Sequence, residues 1–222
     1  MSNDSNTIVV SRLITGSTSM TSGIDRAWVR ALGVALWLVV SVAAQGAEPP
    51  TPAAWSLEHL MQRLAQVKSS KATFIERKHL RILNAPLESS GTLVYTAPGS
   101  LEKHTLRPKP ETLVLEGDTL RFEDVVRNRR RTLRLQEYPV IWAFVESIRA
   151  TLAGDLQSLN RYYRVALEGS EPEWRLTLYP RDTEVARMVT QIRITGAGIS
   201  IRSIEITEVE GDRSMMLITE LK

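Results

Sequence analysis

The sequence contains no cysteine, and this absence limits its chemistry. Disulfide bonds, thiolate metal sites, a cysteine nucleophile and a cysteine-linked lipid anchor are all excluded. The sequence also lacks a large excess of charge of one sign, since it has 28 basic and 25 acidic residues and a formal net charge of +3. Such a narrow excess does not imply nucleic-acid binding. Hydrophobic residues at 43% and charged residues at 24% indicate an ordinary globular chain with one packed domain.

Motifs for catalysis and metal binding are missing as well. His59, His79 and His104 lie far apart, without the spacing of a metal-binding helix. No G-x-S-x-G elbow and no glycine-rich phosphate loop occurs. We therefore expect no catalytic residue, no metal and no cofactor, and we predict that the protein is not an enzyme.

An apolar run at residues 31–44 follows Arg26 and Arg30. It is shorter than the roughly 20 residues that a membrane-spanning helix needs. Basic residues before it and small residues after it are typical of a secretory signal peptide. We predict that residues 1–47 are a signal peptide with a polar N-terminal extension, cleaved near Ala44–Ala47, and that residues 48–222 form a single periplasmic domain. An uncleaved anchor or a buried core helix is the alternative.

The mature chain begins with one amphipathic helix, capped by Ser56, before the hydrophobic period changes to two at Lys71. Alternating apolar and charged residues predict an antiparallel sheet with one dry face. A helical insert, opened by Pro139 and ended by Gly154, interrupts the strands and is apolar on most of its circumference. The strand candidates are residues 72–83, 91–97, 101–107, 112–115, 120–123, 130–135, 162–167, 174–179, 189–195, 199–207 and 215–219.

The segments 90–99 (SGTLVYTAPG), 107–108 (RP) and 113–120 (LVLEGDTL) resemble the periplasmic lipoprotein carriers of the LolA-like family, in particular its divergent branch. The resemblance implies an α+β fold, an unclosed antiparallel half-barrel of about 11 strands with a helical lid over an apolar cavity. It also implies that acylated lipoprotein or lipid cargo is received from an inner-membrane donor and passed to an outer-membrane acceptor.

The resemblance further implies an acceptor that is anchored through an N-terminal cysteine, so we expect this chain, which has no cysteine, to be the diffusing carrier. The sequence departs from the carriers at two positions. Ala97 stands where they have a basic residue before the turn proline, and Lys103 stands where they tend to have an aromatic residue.

Burial of methylene groups in a dry pocket is sufficient to hold an acyl chain reversibly. We expect the acyl cavity to be lined by apolar residues of both helices and the sheet, although each could be ordinary core. They are Leu60, Met61, Leu64, Leu93, Tyr95, Leu113, Leu115, Phe122, Trp142, Phe144, Val145 and Ile148.

Five arginines near a predicted hairpin tip form the one concentrated charge cluster: Arg127, Arg129, Arg130, Arg131 and Arg134. We call them the arginine cluster and predict that it docks anionic headgroups or an acidic partner; a solvated turn is the alternative. The leading hypothesis is a monomeric periplasmic carrier that does not bind nucleic acid. A lipid-processing hydrolase using the same cavity and a non-transporting envelope scaffold remain alternatives.

Overall fold

The computed structural model describes residues 55–221. The predicted signal peptide lies outside the described residues, so it remains a prediction, as does the domain boundary at residue 48. Within the described range, no helix combines the length and the apolar character needed to cross a bilayer.

Four helices form where the sequence supplies start and stop signals. Ser56 caps α1 (Leu57–Leu64), its side chain accepting a hydrogen bond from the His59 amide. Pro139 opens α2 (Pro139–Ala153), and Gly154 ends it in a left-handed conformation at φ 67°. The Asp155 side chain caps α3 (Leu156–Tyr162). The remaining helix is α4 (Thr183–Ala186), and a 3-10 turn lies at Leu135–Glu137.

Eleven antiparallel strands form one open sheet, since the two strands at its ends do not pair with each other. The spatial order is β6-β5-β4-β3-β2-β1-β11-β10-β9-β8-β7. The predicted α+β half-barrel with about 11 strands is therefore confirmed. The strands are β1 (Ser69–His79), β2 (Leu87–Thr96), β3 (Ser100–Arg107), β4 (Glu111–Glu116), β5 (Thr119–Asp124), β6 (Arg129–Arg134), β7 (Tyr163–Ser170), β8 (Glu173–Pro180), β9 (Val189–Ala197), β10 (Ser200–Glu208) and β11 (Arg213–Glu220).

Most strand boundaries lie within three residues of the prediction, and two differ by four. β1 ends at His79, whereas the predicted strand continues to Leu83, because a turn follows and Ile82 is exposed there. β2 begins at Leu87, four residues before the predicted start, since the polar stretch up to Ser90 pairs with β1. The short helix α4 was not predicted.

Helix α2 lies between two apolar clusters, which explains its unusually broad apolar surface. Ala143 and Ala150 belong to a large cluster with α1, α3 and strands β7 to β9. Val145 belongs to a smaller cluster built on β4, β5 and the 3-10 turn. Phe144 packs against both clusters. A helix that serves both halves of a sheet needs apolar residues on more than one face.

Candidate functional site

An apolar cavity of about 380 Å³ lies between α2 and the inner face of the sheet. Helix α1 contributes Leu64 and α2 contributes residues including Phe144 and Ile148. The sheet wall runs from β5 through the central strands to β10. Because both halves of the sheet line it, the cavity depends on the whole fold.

Strand pairing determines which side chains face the cavity. Tyr95 lies opposite Leu101, and Leu101 lies opposite Leu115, so these three share one face across β2, β3 and β4. All three line the cavity. On β11 the same face carries Met216 and Ile218, whereas Met215 and Leu217 are exposed on the other side. Alternation along each strand thus produces one apolar face.

Eight of the twelve predicted cavity residues line the cavity. Their position fits the prediction, and their binding of an acyl chain remains a prediction. These eight are Leu64, Leu93, Tyr95, Leu113, Leu115, Phe144, Val145 and Ile148.

The other four predicted residues lie elsewhere. Leu60 and Met61 are almost completely buried in the large cluster, because they belong to the face of α1 that packs on the other helices. Trp142 packs against the smaller cluster, since α2 turns this residue away from the cavity. Phe122 lies opposite Leu113 in the sheet but borders a second, more polar pocket among charged side chains of β5 and β6.

Much of the cavity wall formed by β10 and β11 is absent from the predicted set. The alternation Ile204-Glu205-Ile206 indicates a dry face on β10, and both isoleucines line the cavity. The run from Met215 to Ile218 is continuously apolar, so its inward residues cannot be selected by periodicity.

Two contacts tie α2 to the sheet, and one ion pair lies within the helix. The Tyr163 hydroxyl donates to the Ala143 carbonyl oxygen at 2.7 Å, and burial raises the pKa of this phenol. Arg149 donates to both carboxylate oxygens of Glu146, at 2.9 and 2.7 Å. The aliphatic part of Arg149 packs against Gly99, where an added Cβ would lie 2.7 Å from the Arg149 Cδ. The helix is therefore fixed to β7 and to the turn between β2 and β3.

Residues 49–220 match the family described as outer membrane lipoprotein carrier protein LolA-like. The chain belongs to this family. No curated protein matches it.

Solved structures similar to this LolA-like protein share little sequence with it. A LolA superfamily protein from Nitrosomonas europaea is 10% identical, with a TM-score of 0.43, and the match covers 76% of this chain and 94% of that one. A domain named for outer membrane lipoprotein sorting, from Vibrio parahaemolyticus, is 10% identical with a TM-score of 0.41, covering 75% and 90%. At this level of identity the similarity concerns the fold alone.

A group of polar side chains interrupts the apolar wall of this LolA-like cavity. Lys103 donates to Glu76 Oε2, and Ser89 donates to the same oxygen at 3.3 Å. Ser214 donates to Oε1 at 2.8 Å. The Lys103 ammonium also lies 4.8 Å from the centre of the Phe74 ring, a cation–π contact. We call Glu76, Ser89, Lys103 and Ser214 the polar cluster.

The polar cluster keeps a carboxylate ionised inside the fold. Burial acts to raise the pKa of Glu76, but the Lys103 charge and the hydrogen bonds from Lys103, Ser214 and Ser89 outweigh it and hold the pKa below its ordinary value. One residue indicated this arrangement in advance, namely Lys103, which stands where the family tends to have an aromatic residue. Its partners could not be identified, since they lie on β1, β2 and β11.

Tyr95 carries a second polar group beside the cavity. The side chain is 3% exposed, and its hydroxyl has no hydrogen-bond partner within residues 55–221. Burial raises the pKa of Tyr95, while the nearby charge of Arg149 acts in the opposite direction. This hydroxyl therefore lies close to the contact that holds α2.

The arginine cluster extends from the β5–β6 turn along β6, an end strand of the sheet. Arg127 pairs with Asp124 at 3.4 Å and Arg130 with Glu123 at 3.1 Å. Within the described part of the chain, the other three arginines form no ion pair; they are Arg129, Arg131 and Arg134. Charged residues on an end strand also protect it from pairing with another sheet. Docking by this cluster remains a prediction.

Residues 55–221 contain no group of three acidic or histidine side chains arranged to hold a metal ion. Of the three serines that line the cavity, Ser214 donates to Glu76 and Ser200 donates to Glu220, and the third is Ser70. The arrangement can bury apolar chains and offer charged side chains to a polar group, since the ion pairs Lys103–Glu76 and Lys78–Glu208 both line the cavity.

Proposed function

We propose that this LolA-like protein is a periplasmic carrier that binds the acyl chains of lipoproteins or lipids and passes them toward the outer membrane. The observation that supports the proposal is the apolar cavity of about 380 Å³ under α2. Each buried methylene contributes about 0.8 kcal/mol. Even partial burial of a chain is therefore favourable, yet reversible when another apolar site is offered. Family membership supports the same role.

We further propose that the protein carries its ligand without altering it. A hydrolase needs a nucleophile hydrogen-bonded to a base that is oriented by a third group. Ser214 in the cavity instead donates to Glu76, a carboxylate that is already paired with Lys103 and is therefore a poor proton acceptor. Hydrolysis of the bound lipid remains the competing outcome in the experiment below.

The two faces of β11 allow a test in which a larger side chain fills the cavity. Met216 lines the cavity, whereas the next residue, Leu217, is 48% exposed on the opposite face. Met216→Trp should fill the cavity and reduce binding of an acyl chain at least about tenfold, because an occupied pocket cannot accept it. Leu217→Trp is the matched control and should bind as the wild type does.

Native mass spectrometry of the mature protein with a lipidated peptide or a phospholipid measures this binding. Intact lipid that exchanges between protein and vesicles supports the carrier, whereas hydrolysed products support the enzyme. Equal binding by wild type and Met216→Trp, with both variants folded by far-UV circular dichroism, would contradict the assignment of the cavity.

The arginine cluster is a second part of the proposal. Arg129, Arg131 and Arg134 are proposed to meet the acidic surface of a donor, an acceptor or an envelope scaffold partner. Replacing the three by glutamine should weaken cosedimentation with anionic vesicles or binding to such a partner, and should leave lipid binding in the cavity unchanged. Loss of lipid binding alone would contradict a docking role.

A further inference from the structure

The proposed function does not require the polar cluster. An acyl chain is held by apolar contact, and burying charged groups beside it costs free energy unless they interact with each other or with the ligand. Yet the side chains of Glu76 and Lys103 are only 20% and 27% exposed, and both line the cavity. Lys103 lies directly opposite Leu93, within the apolar wall.

The hydrogen bonds of the cluster leave it able to donate rather than accept. A carboxylate offers about four acceptor sites, and Glu76 already receives donors from Lys103, Ser89 and Ser214. An ammonium has three donors, and Lys103 uses one of them on Glu76. The unused N–H groups of Lys103 are therefore suited to an anionic oxygen of a ligand.

The volume of the cavity restricts the apolar part of that ligand. Pockets for one small molecule span roughly 300–1,000 Å³. At about 380 Å³ this cavity lies near the lower end of that range. It suits one acyl chain better than the several chains of a fully acylated lipoprotein.

We infer that the ligand of this cavity is a single-chain amphiphile with an anionic headgroup, whose chain lies along the apolar wall and whose head is bound by Lys103. The inference rests on the proposed function, since it specifies the class of acyl ligand. The anionic group is a carboxylate or a phosphate, two sources of the same chemistry.

The test is a displacement titration with ligands of one chain length and different heads. Dodecanoate and dodecyl phosphate carry the anion, and methyl dodecanoate and dodecanol do not. A fluorescent apolar probe reports occupancy at pH 7.4. We expect at least one anionic ligand to bind about tenfold more tightly than the neutral pair, the ratio that one charge-assisted hydrogen bond supplies. A triacylated peptide is expected to compete more weakly than the better anionic ligand.

Three variants test whether Lys103 is responsible for the preference for anionic ligands. Lys103→Met should remove the preference for the anion and leave binding of dodecanol unchanged. Glu76→Gln should strengthen binding of the anion, because it frees Lys103 from its ion pair. Lys71→Met is the matched control, since Lys71 is exposed on the opposite face of β1. Where Lys103→Met unfolds, the double variant Glu76→Gln/Lys103→Met removes both charges and should show the same lost preference.

The outcomes separate the two proposals. If no ligand of the series binds, the acyl-binding function itself is contradicted. If charged and neutral ligands bind equally, or if the triacylated peptide competes best, the carrier function stands and the headgroup inference is overturned. If Lys71→Met loses the preference as Lys103→Met does, Lys103 is not the headgroup site.

Discussion

The partly buried ion pair within α2 allows a quantitative prediction. Arg149 donates two hydrogen bonds to Glu146, which is 2% exposed, while the Arg149 side chain is 30% exposed. Removing one partner of a buried pair costs about 3–5 kcal/mol, because the other charge stays buried. Since water reaches part of Arg149, we expect a cost below this range, about 2–3 kcal/mol of unfolding free energy, for Arg149→Met.

A second ion pair of the same spacing is the control. Arg187 and Glu184 are also three residues apart and in contact at 2.7 Å, but their side chains are 73% and 65% exposed. Arg187→Met should therefore cost less than about 0.5 kcal/mol. Urea unfolding at pH 7, followed by circular dichroism, measures both.

The double variant Glu146→Gln/Arg149→Met tests the cause. It removes the buried charge together with its partner and should be more stable than Arg149→Met alone. The reasoning is refuted if Arg149→Met loses no more than Arg187→Met, or if the double variant is less stable than the single one. Hydrogen exchange should also show faster opening of α2 in Arg149→Met.

Two further predictions concern the same region and the polar cluster. Tyr163→Phe leaves the Ala143 carbonyl without its buried donor and should lower the unfolding free energy by about 1–2 kcal/mol in urea; an unchanged midpoint would contradict the anchoring role. The lowered pKa of Glu76 adds stability that is fully present above its ordinary value of 4.5 and is lost as the pH falls through the folded value. Glu76→Gln should therefore make the unfolding free energy less dependent on pH below 4.5, and an identical pH profile would contradict it.

The sequence was sufficient to predict the elements because their signals are local. The eleven strand segments, the Ser56 cap, Pro139 and Gly154 are each recognised from neighbouring residues in the chain. The sequence also predicts that the inserted helix is apolar on most of its circumference, and the structure shows two apolar clusters around α2.

Which polar groups meet, and which side chains face the cavity, depends on the register of the strands and could not be read from the sequence. Ser214 donates to Glu76 across 138 positions of sequence, and Lys103 reaches Glu76 across 27. Nothing near Glu76 in the chain marks it as a buried carboxylate. Glu146 gave the same difficulty, since a charged residue in a helix normally faces solvent. Met61 and Trp142 have the chemistry of cavity residues, and only packing assigns them to the surrounding clusters.

The order of strands has a consequence for how the protein is made. β1 through β6 follow one another in space, as do β7 through β11, and the two meanders join only where β1 pairs with β11. Each meander can form from local hairpins as the chain grows. The seam between them, the pairing of β1 with β11, cannot form until Arg213–Glu220 has been synthesised. The cavity wall contains that seam, so no ligand can be enclosed by a nascent chain. Loading must follow the completion of synthesis and folding.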